Sequence, residues 1–282
     1  MKRQLTRIVP AQTIINDGDM HLLRALPQTQ QTAVGPFVFI DHYRHQSQRG
    51  IGDRPHPHAG IEVVSYLLEG SVEHRDSMGF RDRLAAGDAQ FIRAGRGMLH
   101  AEQPLSGRHG LQLWISLPPE LKLAEPGYTS IRAAEIPHIN DDGTHLHIIA
   151  GTINGIRGPM ALSGGAIFAH LQLDAGAETR LAVDAGADGD AFAVEVHIAA
   201  ARAVGLDRVA GGAAGLVADE QHVVARVVEH GLEVVHHPPA GAHAAGGDHH
   251  RRLAAAGQAA HVGLVVGVFV DGHQLLEGQR LA

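Results

Sequence analysis

An all-β protein built as two β domains in tandem is the fold class this sequence predicts. Between residues 34 and 117 short β-like runs follow one another with turn residues between them, the pattern of an antiparallel barrel or sandwich. A second series of the same kind starts at "THLHIIAG" after a loop-rich stretch. The 282 residues suffice for two cores of ordinary domain size.

The elements follow in order. "VGPFVFIDHY" is the first strand-like run, followed by a polar loop containing glycine. "IEVVSYLLEG" is expected to end at Gly70, and "SVEHRDS" to lead into a turn at "MGF". "RDRLAAGDAQFIRAGRG" has the form of a strand, a Gly-Asp turn and another strand. "GLQLWISLP" alternates as a half-buried strand that Pro118 and Pro119 stop. Residues 118 to 144 form the loop-rich connection, after which "THLHIIAGTINGIRGPM" and "AIFAHLQLDAGAETRLAVDAG" resume the β pattern. The boundaries expected are an N-terminal domain over 1–130, a linker over 131–144 and a C-terminal domain over 145–282.

Past about residue 185 alanine, glycine, valine and histidine take over, with neither a clean strand period nor a capped helix. An ordinary strand domain in a biased alphabet is one reading. The other is a second domain degraded or partly disordered from there on, or written in an altered reading frame. "EQHVVARVVEHGLEVVHH" suits helix and strand equally.

Composition removes several function classes. With 23 basic and 30 acidic residues the net charge is -7, so no basic field favours direct nucleic-acid binding. Without cysteine there are no disulfides, thiolate nucleophiles, zinc–cysteine sites or ordinary iron–sulfur clusters. "MKRQLTRIVPAQTI" lacks the apolar run of a signal peptide, and "HVGLVVGVFVDG" is too short to span a bilayer. The expectation is a soluble, cytoplasmic protein without membrane contact.

The chemistry concentrates in "DRPHPHAGIE". His56 and His58 are two apart, so in a strand both face the same way, and Pro55 and Pro57 stiffen the chain around them. About forty residues on, "AGRGMLHAEQP" repeats the spacing with His100 and Glu102. If the two segments are neighbours in a small barrel, three imidazoles and a carboxylate meet. That set suits one borderline divalent metal, with Fe(II) the natural choice and Zn, Mn, Ni, Co or Cu compatible. Two positions of an octahedral ion would stay open. Among 22 histidines a lone H-x-H would carry little weight; the H-x-E partner is what raises it.

Other residues have plainer readings. Gly95 and Gly97 are expected to form a turn that aims His100 and Glu102 inward. Arg93 and Arg96 either hold an anionic or phenolate substrate or pair with carboxylates such as Asp82 and Asp88. His74, Arg75 and Asp76 are expected at a solvated strand end, with a ligand-orienting bond as the alternative. Tyr66 and Gln112 should line the barrel. His145, His147 and His170 are expected to be satisfied polar side chains, since no H-x-E follows them. His236, His237, His249 and His250 could take up Ni or Zn adventitiously.

The stretches "VGPFVFIDHY", "HPHAGIEVVSYLLEGSVEHRDSMG", "AGDAQFIRAGRGMLHAEQP" and "HGLQLWISLP", then "LHIIAG" and "NGIRGP", stand in this order over residues 5 to 183. On these the chain resembles the pirin family of the cupin superfamily. The resemblance implies a bicupin, two facing β-barrels of which the N-terminal one holds the metal through His56, His58, His100 and Glu102. Glu62 lies where many other cupins have a carboxylate ligand but pirins do not, so a polar role at the rim is expected of it. Two activities are implied. One is a dioxygenase of the quercetin 2,3-dioxygenase kind, an oxidoreductase taking an aromatic flavonol and O2, with Glu102 as catalytic base. The other is a non-enzymatic, iron-dependent redox-sensing transcription cofactor that binds a protein partner. The family's second-domain ending, a strand around a GE turn and then a helix, has no counterpart in "GLEVVHHPPAGAHAAGG".

Overall fold

The computed structural model describes residues 7–29, 31–173, 178–182, 192–199, 212–215, 222–228, 231–234 and 261–268. Strands β1 (Arg7–Pro10), β2 (Gln12–Asn16), β3 (Met20–Leu26), β4 (Phe37–His45), β5 (His56–His58), β6 (Ile61–Asp76), β7 (Arg81–Ala85), β8 (Ala89–Arg93), β9 (Met98–Ser116) and β10 (Gly127–Ile131) come first. They are followed by β11 (His138–Asp141), β12 (Thr144–Ala150), β13 (Thr152–Ile153), β14 (Ile156–Arg157) and β15 (Ile167–Leu173). The last described strands are β16 (Glu178–Ala182), β17 (Phe192–Ala199), β18 (Gly212–Gly215), β19 (His222–Val228), β20 (Gly231–Val234) and β21 (His261–Val268). The helical segments among the described residues are single 3-10 turns, and none is long and apolar enough to cross a membrane.

Two large sheets bear out the all-β expectation. The first runs β10-β8-β6-β9-β4-β3-β2, with β5 added on β9 and β7 on β6. The second runs β1-β18-β17-β21-β15-β12-β11, so the strand at 7–10 joins the second sheet. A shared apolar seam holds the two together. Phe37, Ile40, Val64, Tyr66, Leu111, Leu113 and Ile115 of the first pack in one cluster with Ile149, Ala150 and Phe168 of the second. Side chains of this size each contribute about 1.5–3 kcal/mol when fully buried.

The centre of the first sheet is a ladder between β6 and β9, paired from Ile61 with Ser116 to Asp76 with His100. In β6 Val63 packs with Ile92 and Met98, while Val64 on the opposite face enters the seam. Burial on both faces is why this strand reads as an unbroken apolar run.

One expected boundary is wrong. The strand does not end at Gly70, which has φ +82°; the register with β9 shifts on either side of it and pairing continues to Asp76. A Cβ there would strike the backbone of Gly107, so the glycine marks a bulge where two backbones approach.

The connection over 118–144 is also more ordered than a loop. Its β10 adds an edge to the first sheet through β8, and β11 adds one to the second through β12. The described residues of "EQHVVARVVEHGLEVVHH" are an antiparallel pair, β19 with β20. The expectation of degradation or disorder past residue 185 falls largely outside the described residues, as do His236, His237, His249 and His250.

Candidate metal centre

Pairing places the three histidines. β5 lies antiparallel to β9 with His56 directly opposite His100 and His58 opposite Met98. His56 and His58 share a face, so His100 completes a triangle with them. Ring centroids are 4.9 Å apart for His56 and His58, 4.4 Å for His56 and His100, and 4.9 Å for His58 and His100. One nitrogen from each falls within 4.8 Å of the others.

The turn before β9 forms as the sequence suggests. Gly95 has φ +49°, and a Cβ on it would collide with the carbonyl of Ala124. The flanking arginines secure this turn from outside: Arg93 Nε donates to the carbonyl of Glu125 at 3.1 Å, and Arg96 pairs with the Glu125 carboxylate. They do not reach Asp82 and Asp88, which Arg132 engages at 2.7 and 3.2 Å. The arginine of the connecting segment is simply nearer to both carboxylates.

The imidazoles have free lone pairs. His56 Nδ1 donates to the carbonyl of Arg54 at 2.9 Å, which leaves Nε2 as the unprotonated nitrogen. His58 Nε2 and both nitrogens of His100 are buried with no hydrogen-bond partner. Buried polar atoms are ordinarily paired, so three such atoms beside one another fit a cation-binding site. Burial pushes His58 down to about 4, with His56 adding to the effect. Burial pushes His100 down to about 4 as well, against the pull of Glu102. Both rings are therefore neutral near pH 7.

Glu102 reaches the same region but faces a different set of neighbours. Its side chain is 1% exposed. Oε1 accepts from the Gln90 amide and lies 3.8 Å from His100 Nδ1, and Oε2 accepts from Arg108 Nη1 at 2.6 Å. Burial alone would raise this carboxyl; Arg108 and His100 outweigh it and hold it at about 2. By ligand-atom distance Glu102 groups with His74 and His100. His74 corrects another expectation, since it is fully buried rather than at a solvated strand end. Its ring stacks on Tyr128 at 4.1 Å and its Nε2 pairs with Asp76 Oδ2 at 3.0 Å. The bulge at Gly70 carries β6 on far enough to set His74 opposite Glu102.

A pocket of about 730 Å3 opens onto the triangle, lined among others by His56, His58, Glu102 and Gln112. Phe39 and Trp114 stack at 4.0 Å to form its aromatic wall, and Trp114 meets His58 edge-on at 4.9 Å. Arg24 lies over Phe39 and grips Asp41 through two 2.8 Å hydrogen bonds.

The remaining candidates lie elsewhere. Glu62 accepts from Ser163 N at 2.9 Å and Ser163 Oγ at 2.7 Å, bridging the first sheet to a turn before β15. Burial raises its carboxyl, and the Ser163 bonds oppose that. Tyr66 is in the seam, its hydroxyl 3.4 Å from His170 Nδ1. Sequence reasoning missed Gln90 and Arg108. Their signal was parity: Arg108 lies six residues after Glu102 on the same strand, hence on the same face.

Two packed β-sheets, with a histidine triangle sunk in the first, define a bicupin-type protein. A family model described as Pirin matches residues 19–115. Pirin-1 of Arabidopsis thaliana is 33% identical over 181 residues, covering 64% of this chain and 62% of its own length. Pirin of Homo sapiens is 37% identical over 158 residues, 55% of this chain and 54% of its own. By these matches the chain is similar to pirins, mainly over its N-terminal region. The chain spans about half to three fifths of the length of the curated relatives it matches. Among solved structures, a quercetin 2,3-dioxygenase of Acinetobacter baumannii aligns with TM-score 0.69 at 20% identity, covering 99% of this chain and 91% of that one. The bacterial pirin YhhW of Escherichia coli, in complex with nickel(II), aligns with TM-score 0.59 at 16% identity, covering 94% and 98%. Identities this low speak to the fold alone.

Proposed function

We propose that the chain is a metal-dependent dioxygenase that opens the heterocycle of a flavonol such as quercetin with O2. The carrying observation is the pocket of about 730 Å3, which ends on unpartnered, buried imidazole nitrogens. That volume suits a three-ring ligand. His56, His58 and His100 would hold the ion, with Glu102 as fourth ligand. Fe(II) is the ion proposed, and the same donors accept Zn, Mn, Ni, Co or Cu. When bound, it supplies Lewis-acid polarisation and an electron path between flavonol and dioxygen.

The protein's own groups do the rest. Phe39 and Trp114 offer a flat surface for an aromatic ring. Glu102, ionised and bordering the pocket, takes the proton of the flavonol 3-hydroxyl through Oε1. In domain terms, the proposal is that 1–130 holds the site, 131–144 links, and 145–282 is a cupin-like domain without metal. A chain without cysteine suits a reducing compartment, and the cytoplasm is the one proposed. The test is turnover: protein purified without oxygen is loaded with each ion in turn, and quercetin loss and carbon monoxide are followed. Glu102→Gln should lower kcat by roughly 10²–10⁴-fold. Absence of turnover with every ion would sink the flavonol assignment.

One surface favours the second reading, an iron-dependent cofactor of transcription that binds protein. Met78, Phe80 and Leu99 are 43%, 45% and 50% exposed, and Leu99 immediately precedes His100. Hydrogen exchange over 77–80 and 98–100 with and without metal is the check. Protection that ignores the metal rules out a switch here.

A further inference from the structure

Glu102 is gripped from behind. Its Oε2 accepts from Arg108 Nη1 at 2.6 Å, and its Oε1 accepts from the Gln90 amide. Arg108 is 3% exposed, and each nitrogen of its guanidinium donates a hydrogen bond. Nε donates to His45 Nε2 at 3.1 Å, Nη2 donates to the carbonyl of Ile51 at 2.5 Å, and the face lies 4.6 Å from the centroid of the Tyr43 ring. A cation fixed on four sides does not follow the carboxylate. The distances record the outcome, since Glu102 groups with His74 and His100, while His56 and His58 group with His100 without it.

We propose that Arg108 is a positioning residue that makes Glu102 a one-oxygen, weakly held ligand of the three-histidine site. Oε2 stays on the guanidinium. Only Oε1 is free to exchange between the Gln90 amide and a metal ion. A carboxylate whose charge is shared in a buried, charge-assisted bond is a poorer donor than a free one. The coordination position it covers is therefore given up readily, as a ligand binding through two oxygens requires. The inference rests on the metal-site reading above.

A double-mutant cycle tests it. Co(II) dissociation constants, measured by competition with a chelator, and visible spectra of the Co(II) protein are compared for wild type, Arg108→Gln, Glu102→Gln and the pair. Arg108→Gln should tighten Co(II) binding by about tenfold, the scale on which groups bonded to metal ligands act, and shift the spectrum. Adding Glu102→Gln should cancel both changes. Equal tightening with and without Glu102 makes Arg108 merely a nearby charge and overturns the proposal, as does no tightening at all. If Arg108→Gln does not fold, Arg108→Lys keeps the charge with a single donor group and should give part of the gain; a wild-type constant and spectrum overturn the proposal equally. Failure of the wild type to bind Co(II) is a distinct result, which removes the metal-site reading and this inference together.

Discussion

Two histidine arrays sit in this molecule, and they differ by geometry rather than composition. Each includes a member of an H-x-H segment and a histidine on a paired strand. In the first sheet, two members lie along one strand and the third directly across, so three rings close a triangle with centroids 4.4–4.9 Å apart. In the second, His138, His147 and His170 each come from a different strand and stand in register across β11, β12 and β15. Their rings follow one another at 5.9 Å. A row at strand spacing lets each ring find a neighbour without bringing three nitrogens together. His145 turns to Asn140 at 3.0 Å and His170 to Tyr66 at 3.4 Å. Among the described residues, the groups that could hold a metal all lie in the first sheet and share His100.

The largest effect should come from deleting the shared corner. His100→Ala should take bound metal from one equivalent to near zero, a loss beyond the roughly 10–100-fold that altering an outer partner costs. His147→Ala should leave the stoichiometry unchanged by elemental analysis. Retained metal in the first variant, or lost metal in the second, would exchange the roles of triangle and row.

Acid comes next. Burial lowers His45, His58 and His100 from 6.5 to about 4. Each folded-state value lies below the unfolded one, so the unfolded chain binds more protons in that window. Stability of the metal-free protein is then fully present above about pH 6.5 and is lost as pH falls through about 4. Thermal melts across that range check it, and a melting temperature flat from pH 7 to 4 contradicts it.

A smaller effect joins the two sheets. Ser163→Ala removes a bond from a hydroxyl to a buried carboxylate and should cost about 1.5–3 kcal/mol of stability, measured by urea unfolding, with metal content unchanged. A fall in metal content would return Glu62 to the ligand set. The smallest is Tyr66→Phe, expected to cost about 0.5–1.5 kcal/mol and to leave Co(II) affinity alone.

Much of this was legible in the chain. The triangle could be read because its rule is local, two apart along a strand and opposite on the next, and the H-x-H and H-x-E segments state it outright. The strands were legible through apolar runs such as "IEVVSYLL". The bulge at Gly70 was not, because a glycine that ends a strand and one that kinks it look alike until the partner backbone at Gly107 is in place. The burial of His74 was hidden for the same reason. Arg108 was concealed by its charge, since an arginine in a polar stretch reads as surface unless the acceptors at Glu102, His45 and Ile51 are known. The row of His138, His147 and His170 depended on register between strands, which no spacing within one segment records.

Strand β9 runs nineteen residues from Met98 to Ser116 and carries His100, Glu102, Arg108, Gln112 and Trp114. The corner of the triangle, its carboxylate, its guanidinium and the pocket wall are thus strung on one thread and kept in phase by counting residues. Such an arrangement tolerates exchanges of side chain far better than changes of length. One residue inserted between His100 and Glu102 would turn the second outward, with no alteration in the chemistry of either. The turn around Gly107, where β6 and β9 already slip past each other, is the place where a length change could be absorbed. Variation in this site should accordingly accumulate as substitutions along β9, with insertions and deletions gathering near residue 107.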